Sequence, residues 1–86
     1  MTIDTLRQEI DTIDTELVSL LNRRYAACLE IGKLKQSSGT VVLDSSREQK
    51  IINRLNELSE YPDMIETLWP VIMAFSRNLQ SNINYK

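Results

Sequence analysis

Two cations stand where apolar residues are due. In LLNRRYAACLEIGKLK, residues 20–35, the apolar positions recur as on a buried helix face, and Arg24 and Lys35 fall on that same face. Eleven residues at about 100° each bring the two side chains within about 20° of one another, about three turns apart. Arg24 also occupies a slot in a seven-residue series that Ile10 and Leu17 fill earlier, where an unpaired charge is strongly unfavourable. For Arg24 alone, the aliphatic stem could pack while the head reaches a nearby Glu or water. A second cation on the same wall weakens that reading and calls for an anion opposite.

Three further groups have types that suit anion recognition. DSSREQ places Asp44, Arg47 and Glu48 in the first turn of a helix, where the dipole favours acids and opposes Arg47 unless it is paired or holds a ligand. Ser76 and Gln80 are one turn apart and continue a stripe begun by Trp69 and Met73. Arg7 lies about 100° from Arg24 on the helical wheel and about 25 Å up the axis, so it cannot join that cluster within one chain, although an antiparallel second copy could bring it in. Each of these is ordinary alone: capping explains both acids, a late helical Gln is usually solvated, and Arg7 reads as a surface charge. Together they make a pocket of Arg, Lys, neutral donors and a carboxylate, with no nucleophile, histidine base or metal-ligand set. That inventory suits a small dianion, bound unchanged or with charge developing inside it, better than a hydrolytic substrate.

These residues need helices to hold them. Ile3, Leu6, Ile10, Ile13, Leu17, Leu20, Ala27, Ile31 and Leu34 run three and four apart, interrupted once at Arg24, which predicts one helix over about 3–36, capped by Asp4 or Thr2. QSSGTVVL, residues 36–43, reads as a loop followed by a short apolar run that packs down over something. A second helix follows, with Asp44 or Ser45 as N-cap, Glu48 completing a capping box with Ser45, and Ile51, Ile52, Leu55 and Leu58 on its buried side. Tyr61-Pro62-Asp63 separates it from a third, about 63–83, with Ile65, Leu68, Ile72, Phe75 and Leu79 at helical spacing. Pro70 predicts a kink, or a helix that effectively starts near Trp69. The fold class is all-α, with three helices per chain. The first helix would be about 50 Å long at 1.5 Å per residue, whereas a compact chain of this size has a radius of gyration of about 12 Å. Its apolar seam would overhang its own domain, and a second copy is the economical cover.

The totals narrow the function. A chain of 86 residues, 42% hydrophobic and 26% charged, suits one domain spanning residues 1–86. A formal net charge of -2 gives no general attraction for nucleic acid. The one cysteine, Cys28, excludes an internal disulfide, and the lack of histidine removes the commonest metal ligand and proton-transfer group. MTIDTLRQEIDTID is charged and helical in pattern rather than a leader, and no run approaches the roughly 18 apolar residues of a membrane span. A cytoplasmic location is expected.

LRQEIDTID with Arg7, the NRR to IGKLK run with Arg24 and Lys35, VVLDSSREQ with Asp44, Arg47 and Glu48, and FSRNLQ with Ser76 and Gln80 stand in order along nearly the whole chain. In that order and spacing they resemble the motifs of the all-helical (AroQ-class) chorismate mutases. The resemblance implies an intertwined homodimeric bundle whose long helix spans both active sites. It also implies conversion of chorismate to prephenate by an intramolecular Claisen rearrangement in aromatic amino acid biosynthesis, without cofactor, covalent intermediate or acid-base step. By the same resemblance, Lys35 and Gln80 donate to the ether oxygen, Arg24 grips a carboxylate, and Arg7 arrives from the partner chain to help with one. Arg47 and Ser76 complete carboxylate binding, Asp44 and Glu48 address the ring hydroxyl, and Ile31, Val42 and Ile72 form apolar walls. Pro70 and the short connection before the third helix depart from the pattern and put the Ser76 and Gln80 wall in question. An isochorismate pyruvate lyase or an amino-chorismate mutase on the same fold would reuse such a pocket. A non-catalytic dimeric module would be expected to lack Arg24, Lys35 or Gln80, and all three are present.

Overall fold

The computed structural model describes residues 1–39 and 43–82, the side chains of Ser38 and Pro62 excepted. Val42, with most of the short apolar run before the second helix, and the expected helix end at residue 83 lie outside the described residues. Three helices make up the fold: α1, Ile3–Ser38; α2, Ser45–Leu58; and α3, Pro62–Asn82. Among the described residues there is no strand.

Local chemistry sets the ends. Thr2, rather than Asp4, caps α1: the Thr5 backbone N–H donates to Thr2 Oγ1 at 3.1 Å, and the Thr2 N–H donates to Thr5 Oγ1 at 2.9 Å. This is a reciprocal capping box with Thr in the usual place of Glu or Gln. The helix stops at Gly39, whose φ of 74° is left-handed and suits a residue without Cβ. Asp44, rather than Ser45, caps α2, its Oδ1 accepting from the Arg47 N–H at 2.9 Å. The expected Ser45 and Glu48 box does not form, because the Glu48 carboxylate turns to Arg77 on α3. After α2, Ser59 Oγ accepts from the Tyr61 N–H at 3.0 Å and donates to the Tyr61 carbonyl at 2.9 Å, closing a tight turn. Pro62 then opens α3 at the position where a missing N–H costs nothing.

Pro70 neither ends nor starts a helix, since α3 runs unbroken through it. Its ring faces solvent, and the carbonyl it deprives of a partner belongs to Glu66, another exposed residue, where water can replace the lost bond.

The third helix packs against both others. Among the described residues Ile65 and Met73 of α3 are the buried hydrophobic ones, and the Tyr25 and Phe75 rings meet edge to face at 4.9 Å between α1 and α3. The first 20 residues, by contrast, touch little: Ile3, Ile10, Leu17 and Leu20 are at least half exposed. The chain is 54 Å long with a radius of gyration of 16.1 Å, against about 12 Å for a compact chain of its size. Its 6923 Å² of accessible surface exceeds by about 1,700 Å² what a compact monomer of 9.9 kDa exposes. The excess includes the exposed apolar side chains of Ile3, Ile10, Leu17 and Leu20, which the chain itself leaves uncovered.

Candidate active site

All three helices send side chains into one cleft of about 280 Å³. From α1 come Arg24, Cys28, Ile31 and Lys35, spaced four, three and four apart so that they fall in one line along the helix. The start of α2 supplies Asp44, Arg47, Glu48 and Ile51, and α3 supplies Met73, Ser76, Arg77 and Gln80. Seven of the eight residues singled out in the sequence therefore converge, although they are spread from position 24 to position 80. The eighth, Arg7, sits on the exposed N-terminal half of α1 and does not line the cleft. Of the expected apolar walls, Ile31 lines it; Ile72 does not, and contributes its backbone carbonyl to the network below.

Hydrogen bonds fix the donors. The Arg24 Nη1 donates to Ser76 Oγ at 3.1 Å, and the Ser76 hydroxyl donates to the Ile72 carbonyl at 3.0 Å. Arg24 thus reaches a serine rather than a Glu or bulk water, and most of the five N–H groups of its guanidinium remain for an acceptor. Gln80 Nε2 donates to the Cys28 carbonyl at 2.8 Å, which orients the amide and leaves its second N–H for the cleft. Ser76 and Gln80 are only 6% and 8% exposed, the two buried polar residues of the described chain. Buried polar groups are retained at a cost, so two on one helix face mark a site rather than a core. Pro70 has not displaced either of them.

Charge is concentrated here. Arg24, Lys35, Arg47 and Arg77 stand against Asp44 and Glu48, leaving two formal positive charges in a chain whose net charge is -2. Asp44 spends one carboxylate oxygen on capping α2, and Glu48 is ion-paired with Arg77. Among the described residues no group of acidic, cysteine or histidine side chains is arranged to hold a metal ion.

Four lining residues escaped the sequence reading: Ile51 and Met73, which it placed on helix faces with no role in the site, and Cys28 and Arg77. Cys28 brings a thiol into a cleft expected to hold no nucleophile, with Sγ 3.7 Å from Arg24 Nη1; its place one turn after Arg24 and two before Lys35 was the available signal. Arg77 lies next to Ser76 in sequence but off the Ser76 and Gln80 stripe, and its partner Glu48 is 29 residues away, so no spacing rule pairs them.

Comparison with known proteins agrees with this arrangement. Residues 6–81 match the family model for chorismate mutase type II. Over 56 residues, 65% of this chain, it is 48% identical to the intracellular chorismate mutases of Mycobacterium tuberculosis and Mycobacterium bovis. It is 42% identical to that of Mycolicibacterium smegmatis over 52 residues, 60% of this chain. The matches cover 53% and 50% of those proteins, so the chain spans about half the length of the curated relatives it matches. A solved structure, a conserved hypothetical protein from Pyrococcus furiosus, superposes with a TM-score of 0.76 at 31% identity, covering 93% of this chain and 96% of that one. With the family motifs gathered on one three-helix fold, the chain belongs to the chorismate mutase type II family.

Proposed function

We propose that the chain is a chorismate mutase, acting as a homodimer on chorismate and releasing prephenate. The observation that carries this reading is the convergence of Arg24, Lys35, Ser76 and Gln80, with Asp44, Arg47 and Glu48, on one cleft with an excess of two positive charges. A flexible dianion entering it would be held by its carboxylates on Arg24, whose guanidinium is braced by Ser76, and on Arg47. In the rearrangement the ether C–O bond breaks as a C–C bond forms, and negative charge appears on the ether oxygen. Lys35 and the second N–H of Gln80 are the donors for that charge. Gln80 is almost fully buried, and a preoriented donor stabilises developing charge without having to reorganise as water must. Asp44 and Glu48 would take the ring hydroxyl. The substrate supplies both bond-breaking and bond-forming atoms, so the protein's contributions are conformational restriction and electrostatics.

The overhanging seam of α1 supports the second copy. Antiparallel pairing along it would carry Arg7 of the other chain toward this cleft, adding a cation to a site assembled mostly from one chain. Residues 1–86 then act as one catalytic domain, and a cytoplasmic location accords with the word intracellular in the relatives' names.

The test is turnover. Chorismate incubated with the purified protein should lose its ultraviolet absorbance and yield prephenate, with isochorismate much slower in parallel. Pyruvate released mainly from isochorismate would reassign the site to a lyase, and no turnover of either would leave a binding role.

A further inference from the structure

Glu48 and Arg77 form a partition. Their ion pair joins α2 to α3, with side chains 25% and 32% exposed. The pair, with Met73, lines the cleft described above on one side and a second cleft of about 310 Å³ on the other, bounded also by Ser45, Gln49, Ile52 and Pro70. Glu48 sits in the first turn of α2, where its backbone N–H is already bonded to the Asp44 carbonyl at 3.0 Å. Its backbone is therefore fixed, but its carboxylate has open space on both sides. Among the described residues the carboxylate's partner is Arg77, through a charge-assisted bond, and such bonds are about twice as strong as neutral ones.

We propose that Arg77 is a positioning residue that holds the Glu48 carboxylate at the wall of the active cleft and so governs how well the ring hydroxyl is bound. This rests on the mutase reading. Without Arg77 the carboxylate is free to swing into the second cleft, where water solvates it, and the hydroxyl loses its acceptor. That contact involves a group that does not react and is made equally in the ground and transition states, so its loss falls on KM rather than kcat.

The experiment is a double-mutant cycle on the full chain, using steady-state chorismate turnover, with helical circular dichroism as the folding control. R77M should raise KM about tenfold, as expected for losing a hydrogen bond to a charged group, with kcat nearly unchanged, and R77K should recover most of the loss. In the E48Q background, R77M should cost less than about twofold, because residues that act through one another are not additive. An R77M variant like the unsubstituted protein would overturn the proposal. So would the same loss with and without the Glu48 carboxylate, which would make Arg77 an independent cation for the dianion. Absence of turnover by the unsubstituted protein would overturn the mutase reading itself, and this proposal with it.

Discussion

Arg24 presents a fixed guanidinium because Ser76 takes one of its N–H groups and passes the bond on to the Ile72 carbonyl. Gln80 is fixed in the same manner by the Cys28 carbonyl. Preorganisation of this sort is what makes a donor catalytic, since no reorganisation remains at the moment charge develops. In the proposed mutase Lys35 would supply the full positive charge at that place, and K35A should lower kcat by at least about a hundredfold while leaving the helical content intact. Steady-state rates alongside circular dichroism check this, and a nearly unaltered rate would remove Lys35 from the mechanism. At this scale the sequence was informative where a residue broke a pattern: Arg24 stood out because it interrupts an apolar seam, and Lys35 because it repeats the offence on the same face. Cys28 gave no such signal, because a cysteine passes for a small apolar residue at an apolar position. Arg77 gave none because its meaning lies in a carboxylate on another helix.

The helices were legible from local rules, and their ends shifted by only a residue or two where two capping residues competed. Thr2 won over Asp4 and Asp44 over Ser45, in each case the residue whose side chain reaches the N–H three positions on. Of the two outcomes expected of Pro70, a helix starting near Trp69 does not occur, because intrinsic propensity is a weak constraint once a helix is held from outside. The preceding stretch of α3 carries buried Ile65, and the Thr67 hydroxyl bonds the Asp63 carbonyl at 2.7 Å, so the helix has reason to begin well before the proline. The proline is nonetheless a standing cost inside an exposed turn. P70A restores a donor for the Glu66 carbonyl and should raise stability by up to about 3 kcal/mol, several degrees or more in Tm for a chain of this size. Chorismate turnover should stay close to that of the unsubstituted protein. A lower Tm, or a collapse in kcat, would mean that the proline sets the angle at which Ser76 and Gln80 enter the cleft.

For the whole molecule, the governing fact is surface left uncovered. A helix 36 residues long on a chain of 86 cannot bury its seam against 14- and 21-residue neighbours, and the excess of about 1,700 Å² is of the size that large homodimer interfaces bury per chain. The seven-residue spacing led to the expectation of a partner but not of how it lies, because periodicity identifies a face and says nothing of direction. In the proposed homodimer the position of Arg7 would tie the assembly to the chemistry: about 25 Å along α1 from Arg24, it would serve the cleft of the other copy. A site shared between chains is tested by complementation. R7A and K35A, each impaired as a homodimer, are mixed in equal amounts, allowed to exchange chains until mixed dimers are detected by ion exchange, and assayed with chorismate. Each mixed dimer then holds one site with both lesions and one with none, so roughly a quarter of all sites are restored, and activity should rise well above that of either parent. Mixed dimers that form without any gain in activity would contradict a cleft completed by the second chain.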